Sequence, residues 1–171
     1  MIGEDRTVTR LILRQQLARC DGIAAGSKSR FREKVHAVDP FDGGRELGGL
    51  DIIKREGTTY FTFIDNRTQQ ELLDHVDPIV ATSAEAVKNW AKPIRLLLID
   101  GEHTYEAVNQ DFESWTRFLV VGGIVAFDDM TGQYPELVRY YDELMIGSAQ
   151  YREIFRVGKM KFIQRVAATP P

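Results

Sequence analysis

The apolar residues of this chain gather in short unbroken blocks, and the most regular of these stop abruptly in acid. Leu96-Leu97-Leu98-Ile99 runs into Asp100-Gly101-Glu102-His103-Thr104-Tyr105, and Ile124-Val125-Ala126-Phe127 runs into Asp128-Asp129. A continuous apolar run of this length predicts a strand buried on both faces, as in a parallel sheet covered by helices. Ile94–Asp100 and Ile124–Phe127 are therefore strands. Lys34–Asp39 is a shorter one that also ends in acid, just before Pro40, and His75–Thr82 is another, interrupted by Pro78. Tyr151–Val157 and Lys161–Val166, separated by Gly158, form a closing antiparallel hairpin.

Between these blocks the apolar spacing turns helical. Val8, Leu11, Ile12 and Leu17 predict an amphipathic helix over Asp5–Arg19 with Asp5 as its cap. Thr58–Leu73 is helical by pattern, with Tyr60, Phe61, Ile64, Leu72 and Leu73 as core candidates. Ser83–Ala91 is a short helix stopped by Pro93. Glu106–Leu119 carries an apolar stripe of Val108, Phe112, Trp115 and Leu119, and Pro135–Met145 has proline in its first turn. Cys20–Ser29 and the glycine-rich Asp42–Gly49 are loops. Strands alternating with helices predict an α/β sheet with helices on both faces, closed by the hairpin.

Ligands of open α/β sheets lie at the carboxyl ends of the strands. Two neighbouring strands would bring Asp100, Asp128 and Asp129 to one place, with Glu102 and His103 beside them. Crowded carboxylates need a cation or a proton, so a metal-assisted active site is the sharp expectation. Taken singly, each acid also suits a turn or a helix cap.

Composition narrows the setting. The 171 residues fit one domain, taken as residues 1–166 with a tail at 167–171. With 22 basic and 25 acidic residues the net charge is -3, which argues against a nucleic-acid surface. Lys28, Arg30, Arg32 and Lys34 cluster, but Glu33 interrupts them, and a solvated loop accounts for the group. Cys20 is the single cysteine, so an internal disulfide is excluded and a reducing compartment is expected. Neither a signal peptide nor an apolar run near membrane length is visible, so the cytoplasm is the default and no membrane partner is expected.

The pattern from Ile99 to Glu106 is Ile-Asp-Gly-acid-His-x-Tyr-Glu. A helix carrying Asp and Trp follows, and then Gly-Gly-hydrophobic-Asp. This resembles the class I S-adenosylmethionine-dependent methyltransferases, and is most similar to methyltransferase family 24, whose neighbours include the macrocin-type sugar O-methyltransferases. The resemblance runs from about Val35 to Val166 and is most specific in Asp100–Trp115 and Gly122–Asp129. It implies a Rossmann-like sheet with helices on both faces and a C-terminal antiparallel strand pair.

The resemblance also implies roles. Asp39, ending the second strand of that fold, would accept hydrogen bonds from the ribose diol of S-adenosylmethionine, with Pro40 and Phe41 beside it at the cofactor. Thr82 and Ser83 would lie against the adenine, although Ser83 also suits a helix cap. Asp100 would serve the cofactor and, with Asp128 and Asp129, would hold a magnesium ion as acids do in macrocin-type and catechol-type relatives. Many relatives carry His where this chain has Asp128, and metal-free members exist. The base is His103 or Glu102; the imidazole needs less adjustment near pH 7. The acceptor implied is a hydroxyl of a sugar or another small metabolite. Association into a homo-oligomer is left open.

The front of the chain departs from the family. Class I enzymes open with a strand feeding a glycine-rich turn, whereas Met1–Thr7 offers only Gly3. The expectation is a sheet whose first strand is missing and a chain truncated at its amino terminus. The gap would fall between the strands ending at Asp39 and Asp100, at a cost of roughly 1–3 kcal/mol per unsatisfied buried backbone group. Two alternatives follow. A nicotinamide-dependent oxidoreductase is disfavoured by the absence of Gly-x-Gly-x-x-Gly after a strand. A non-catalytic binding or scaffold domain that kept the fold and lost its cofactor is the stronger one.

Overall fold

The computed structural model describes residues 9–14, 34–42 and 57–167. Its elements in chain order are β1 (Thr9–Arg14), β2 (Val35–Asp39), α1 (Tyr60–Gln69), β3 (Val76–Val80), α2 (Ser83–Ala86) with a 3-10 turn at Val87–Asn89, β4 (Ile94–Asp100), α3 (Tyr105–Thr116), β5 (Leu119–Phe127), α4 (Pro135–Met145), β6 (Tyr151–Val157) and β7 (Met160–Arg165). The strands form one sheet in the order β3-β2-β1-β4-β5-β7-β6. All pairings from β3 through to β5 are parallel, and β7 runs antiparallel to both β5 and β6.

The first strand is present, which corrects the expectation of a sheet that lacks it. Residues 9–14, expected within a helix over Asp5–Arg19, instead form β1 at the centre of the sheet. Leu11 is in register with His36 of β2 on one side and with Leu97 of β4 on the other. The helical spacing of Val8, Leu11 and Ile12 coincides with an unbroken run, Leu11-Ile12-Leu13, which is also the signature of a strand buried between two neighbours. Pairing on both edges outweighs the local periodicity. The unpaired central backbone expected between β2 and β4 does not arise.

Burial on both faces explains the other strands. All five residues of β2 are buried. Val35 and Ala37 join Phe41, Phe63, Leu72 and Val76 on the α1 side. Val38 packs with Leu97, Ile99, Val108, Phe112, Trp115, Phe127 and Tyr141 on the side of α3 and α4. Consecutive side chains of a strand point to opposite faces, so Leu98 packs into the first cluster while Leu97 and Ile99 enter the second.

Several boundaries move. α1 is shorter than Thr58–Leu73 and turns Phe63 inward while Phe61 stays exposed; in the turn after it Leu72 is buried and Leu73 exposed. Glu71, at φ 57, closes the turn after it. The helix expected over Ser83–Ala91 divides into α2 and the 3-10 turn. α3 stops at Thr116, and β5 begins at Leu119 with a register irregularity before Ile124. Gly122 supplies the positive φ there. Among the described residues no helix is long and apolar enough to cross a membrane.

Gly3, the loop expected over Cys20–Ser29 with Lys28 in it, Arg30 and Arg32 after it, the glycine-rich segment beyond Asp42 and residues 168–171 lie outside the described residues. In chain order Gly3 precedes β1, whereas the glycine turn expected of the fold follows the first strand.

Candidate active site

β4 and β5 end side by side, with Ile99 in register with Phe127. The Asp128 N–H donates to the Ile99 carbonyl at 3.1 Å, so the acids follow directly where pairing stops. Asp129 has φ 56, a left-handed conformation tolerated better by Asp than by most residues. Its N–H donates to Asp128 Oδ1 at 2.7 Å.

Asp100, His103 and Asp129 come together, each offering one ligand atom within 4.8 Å of the others. His103 Nε2 lies 3.4 Å from Asp129 Oδ2, and the imidazole stacks on Tyr134 with ring centroids 4.0 Å apart. Asp128 is not part of this group. This group joins two carboxylates and an imidazole, whereas the sequence expectation is three carboxylates with His103 beside them. Lys159, beside Gly158 in the β6–β7 turn, ion-pairs with Asp129 and lies 3.5 Å from Asp128 Oδ1. Hydrogen bonding to Asp129 and the surrounding acids raise its pKa. The β5–β7 register, with Phe127 opposite Lys161, brings the hairpin turn to the acids.

Next to this cluster lies a cleft of about 230 Å³ lined by Val38, Pro40, Thr82, Ser83, Gly101, Glu102 and Asp111, among others. It sits over the carboxyl ends of β2 and β4. Glu102 lines the cleft while His103 joins the acid cluster, so the two base candidates have different surroundings. Thr82 caps α2 in a reciprocal box: its side chain accepts from the Glu85 N–H, and Glu85 accepts from the Thr82 N–H.

Asp39 is fully buried, and its Oδ1 accepts from the Phe41 N–H at 2.6 Å. Its neighbours Val38 and Pro40 line the cleft, whereas Asp39 itself does not. Phe41 also stays out of it: with φ 56 it turns inward and packs on Tyr60 and Phe63, with centroids 5.2 Å away in each case.

Asp111 escaped the sequence reading as a site residue. It is buried on α3, and the Ser83 hydroxyl donates to its Oδ1. Ser83 Oγ in turn accepts from Trp115 Nε1 at 2.8 Å. Burial pushes the Asp111 carboxyl up to about 6, against the lowering effect of the Ser83 bond. Its position was a usable signal, because residue 111 falls on the same helical stripe as Val108 and Trp115, where an acid is out of place. Lys159 gave no comparable signal, since only strand register brings it to Asp129.

His36 is buried against Trp90, with centroids 5.0 Å apart, and burial and Lys92 lower its pKa to about 4. It is a neutral core histidine. Tyr105 packs on Tyr140 and donates to Glu143 at 2.7 Å, away from the acids.

Residues 12–130 match a family of methyltransferase domains, methyltransferase family 24. Among solved structures the chain is similar to the O-methyltransferase NovP, with a TM-score of 0.67 and 17% identity over 92% of this chain and 72% of that one. A protein from Clostridium thermocellum named as an rRNA methylase aligns with a TM-score of 0.61 and 14% identity, covering 94% of this chain and 91% of its own. A protein from Streptococcus mutans named as a methyltransferase, in complex with S-adenosylhomocysteine, gives 0.61 and 12% over 95% and 90%. At these identities the structural likeness establishes the fold.

Proposed function

The chain belongs to methyltransferase family 24, and from that premise we propose that it transfers the methyl group of S-adenosylmethionine to a hydroxyl of a small metabolite, such as a sugar, with assistance from a divalent cation. The observation that carries this reading is the adjacency of two features at the end of β4. The cleft holding Ser83, Gly101 and Glu102 abuts the group formed by Asp100, His103 and Asp129. A cofactor in the cleft would then lie beside an acceptor held at the acids. The complexed neighbour from Streptococcus mutans supports the choice of cofactor.

The donor set suits a divalent cation. Two carboxylates and an imidazole are acceptable to manganese and iron as well as zinc, whereas magnesium prefers an all-oxygen shell. Bound there, the ion would lower the pKa of an acceptor hydroxyl and orient it. The chain's own residues do the rest. Asp100, His103 and Asp129 would hold the ion, Tyr134 stacks on the imidazole and fixes its plane, and Glu102, which lines the cleft, would take the hydroxyl proton. Asp39 is the ribose ligand in this reading, as the acid that ends β2 between two residues that line the cleft, Val38 and Pro40.

The non-catalytic alternative drew its force from a missing central strand, and β1 occupies that place. The acidic balance of 25 against 22 supports a small acceptor over a nucleic acid. The reading is tested by incubating the chain with S-adenosylmethionine and hydroxylated acceptors, with manganese, with magnesium or with chelator, and detecting product by mass spectrometry. Metal-dependent methylation is expected. Methylation indifferent to chelator would overturn the metal-assisted mechanism, and methylation confined to an RNA acceptor would overturn the acceptor class.

A further inference from the structure

The cleft contains a hydrogen-bond relay that the reaction itself does not use. A serine hydroxyl has one donor and two acceptor lone pairs. In Ser83 the donor is committed to Asp111 Oδ1, and one lone pair accepts from Trp115 Nε1 at 2.8 Å. What remains is a single lone pair on a side chain that lines the cleft. Ser83 can therefore accept from an incoming ligand and cannot donate to it.

Both partners are held in place. Trp115 is fully buried, with Trp90 against it at a centroid distance of 5.4 Å, so its indole cannot turn away. Asp111 is buried on α3, and Gly101 leaves room for it: a Cβ at Gly101 would stand 3.2 Å from Asp111 Oδ2. The absent side chain at the end of β4 thus makes space for the acid that orients the serine on α2.

We propose that Asp111 is a positioning residue for cofactor specificity, fixing the Ser83 hydroxyl so that its remaining lone pair accepts from the exocyclic amino group of adenine. This rests on the cofactor reading above. It adds a discrimination: a purine with a keto oxygen in place of that amino group would meet an acceptor facing an acceptor. In this role Asp111 acts through Ser83 and not on the reacting atoms.

The test is calorimetric titration of the full chain with S-adenosylhomocysteine and with its deaminated analogue, S-inosylhomocysteine. The unmodified chain should prefer the adenine ligand by about tenfold or more, the worth of one well-made hydrogen bond against an unsatisfied one. Asp111→Ala releases the hydroxyl to rotate and donate, so the preference should fall to within about twofold. Asp111→Asn keeps an acceptor oxygen for Ser83 and should retain the preference. Ser83→Ala should abolish it, and decides the matter if Asp111→Ala does not fold.

A purely structural Asp111 would weaken both ligands equally and leave their ratio unchanged in Asp111→Ala, which would overturn the proposal. Retention of the preference in Ser83→Ala would also overturn it, because another group would then read the amino edge. Equal binding of the two ligands by the unmodified chain contradicts the relay while leaving the cofactor assignment intact. Binding of neither ligand by the folded chain contradicts the cofactor assignment and the relay together.

Discussion

His103 Nε2 lies 3.4 Å from Asp129 Oδ2, across the gap between the loop after β4 and the turn after β5. The pair belongs to a group that includes Asp100 and not Asp128. Asp100→Ala and Asp129→Ala should therefore abolish manganese binding, read by calorimetry or by the electron paramagnetic resonance of free manganese. Asp128→Asn should weaken it much less. Equal loss in all three variants would restore the three-carboxylate site expected from sequence.

Glu102 and His103 are adjacent in the chain but face different surroundings, and their variants should separate. Glu102→Gln should lower turnover by about 10²–10⁴-fold, the range for loss of a general base, with manganese affinity retained. His103→Gln should lower manganese affinity itself. The opposite pattern would make His103 the base.

Lys159 is a cation tethered to the acids by the β6–β7 turn. An incoming metal ion competes with it for Asp129. Lys159→Met should tighten manganese binding by about twofold to fivefold, consistent with the modest worth of a solvent-accessible ion pair. Weaker binding would mean that the lysine organises the site rather than competing for it.

Asp111 gives the fold a defined pH response. Its carboxyl is raised to about 6 in the folded state, with burial as the main cause, while in the unfolded chain it returns to the ordinary carboxylate range. The native state then holds the extra proton between about pH 4 and 6, so stability falls as pH rises through that window. The loss is roughly 3 kcal/mol at most for a carboxyl raised from its ordinary range to about 6. Asp111→Asn should remove this slope. Denaturant melts at pH 4.5 and 7 should show the unmodified chain losing stability relative to Asp111→Asn as pH rises.

β1 is paired on both sides, so its backbone amides should be among the slowest to exchange. Hydrogen exchange at Leu11, Ile12 and Leu13 should track global unfolding. Ile12→Pro, which removes a donor from a central strand, should abolish cooperative folding. Fast exchange at these amides would argue against the central placement.

The contrast between β1 and β4 shows what the sequence made legible. Leu96–Ile99 could be read because its run is unbroken and its acid terminus is abrupt. Leu11-Ile12-Leu13 is as apolar, but flanking Val8 and Leu17 imitate a helix, and only the need for a partner between β2 and β4 resolves it. The candidate site residues follow the same rule. Asp100, Glu102 and His103 stand in one local motif, whereas Lys159 reaches Asp129 only through the register of an antiparallel pair. Asp111 was legible in principle, as an acid on an apolar stripe, but its partner Ser83 lies on another element.

The most direct measurement is calorimetric titration of the purified chain with S-adenosylhomocysteine, with circular dichroism to establish that the chain is folded. Saturable binding at one site per chain, weakened by Asp39→Ala, is the result expected of a methyltransferase whose cofactor lies over the ends of β2 and β4. A folded chain that shows no binding would contradict the proposed function.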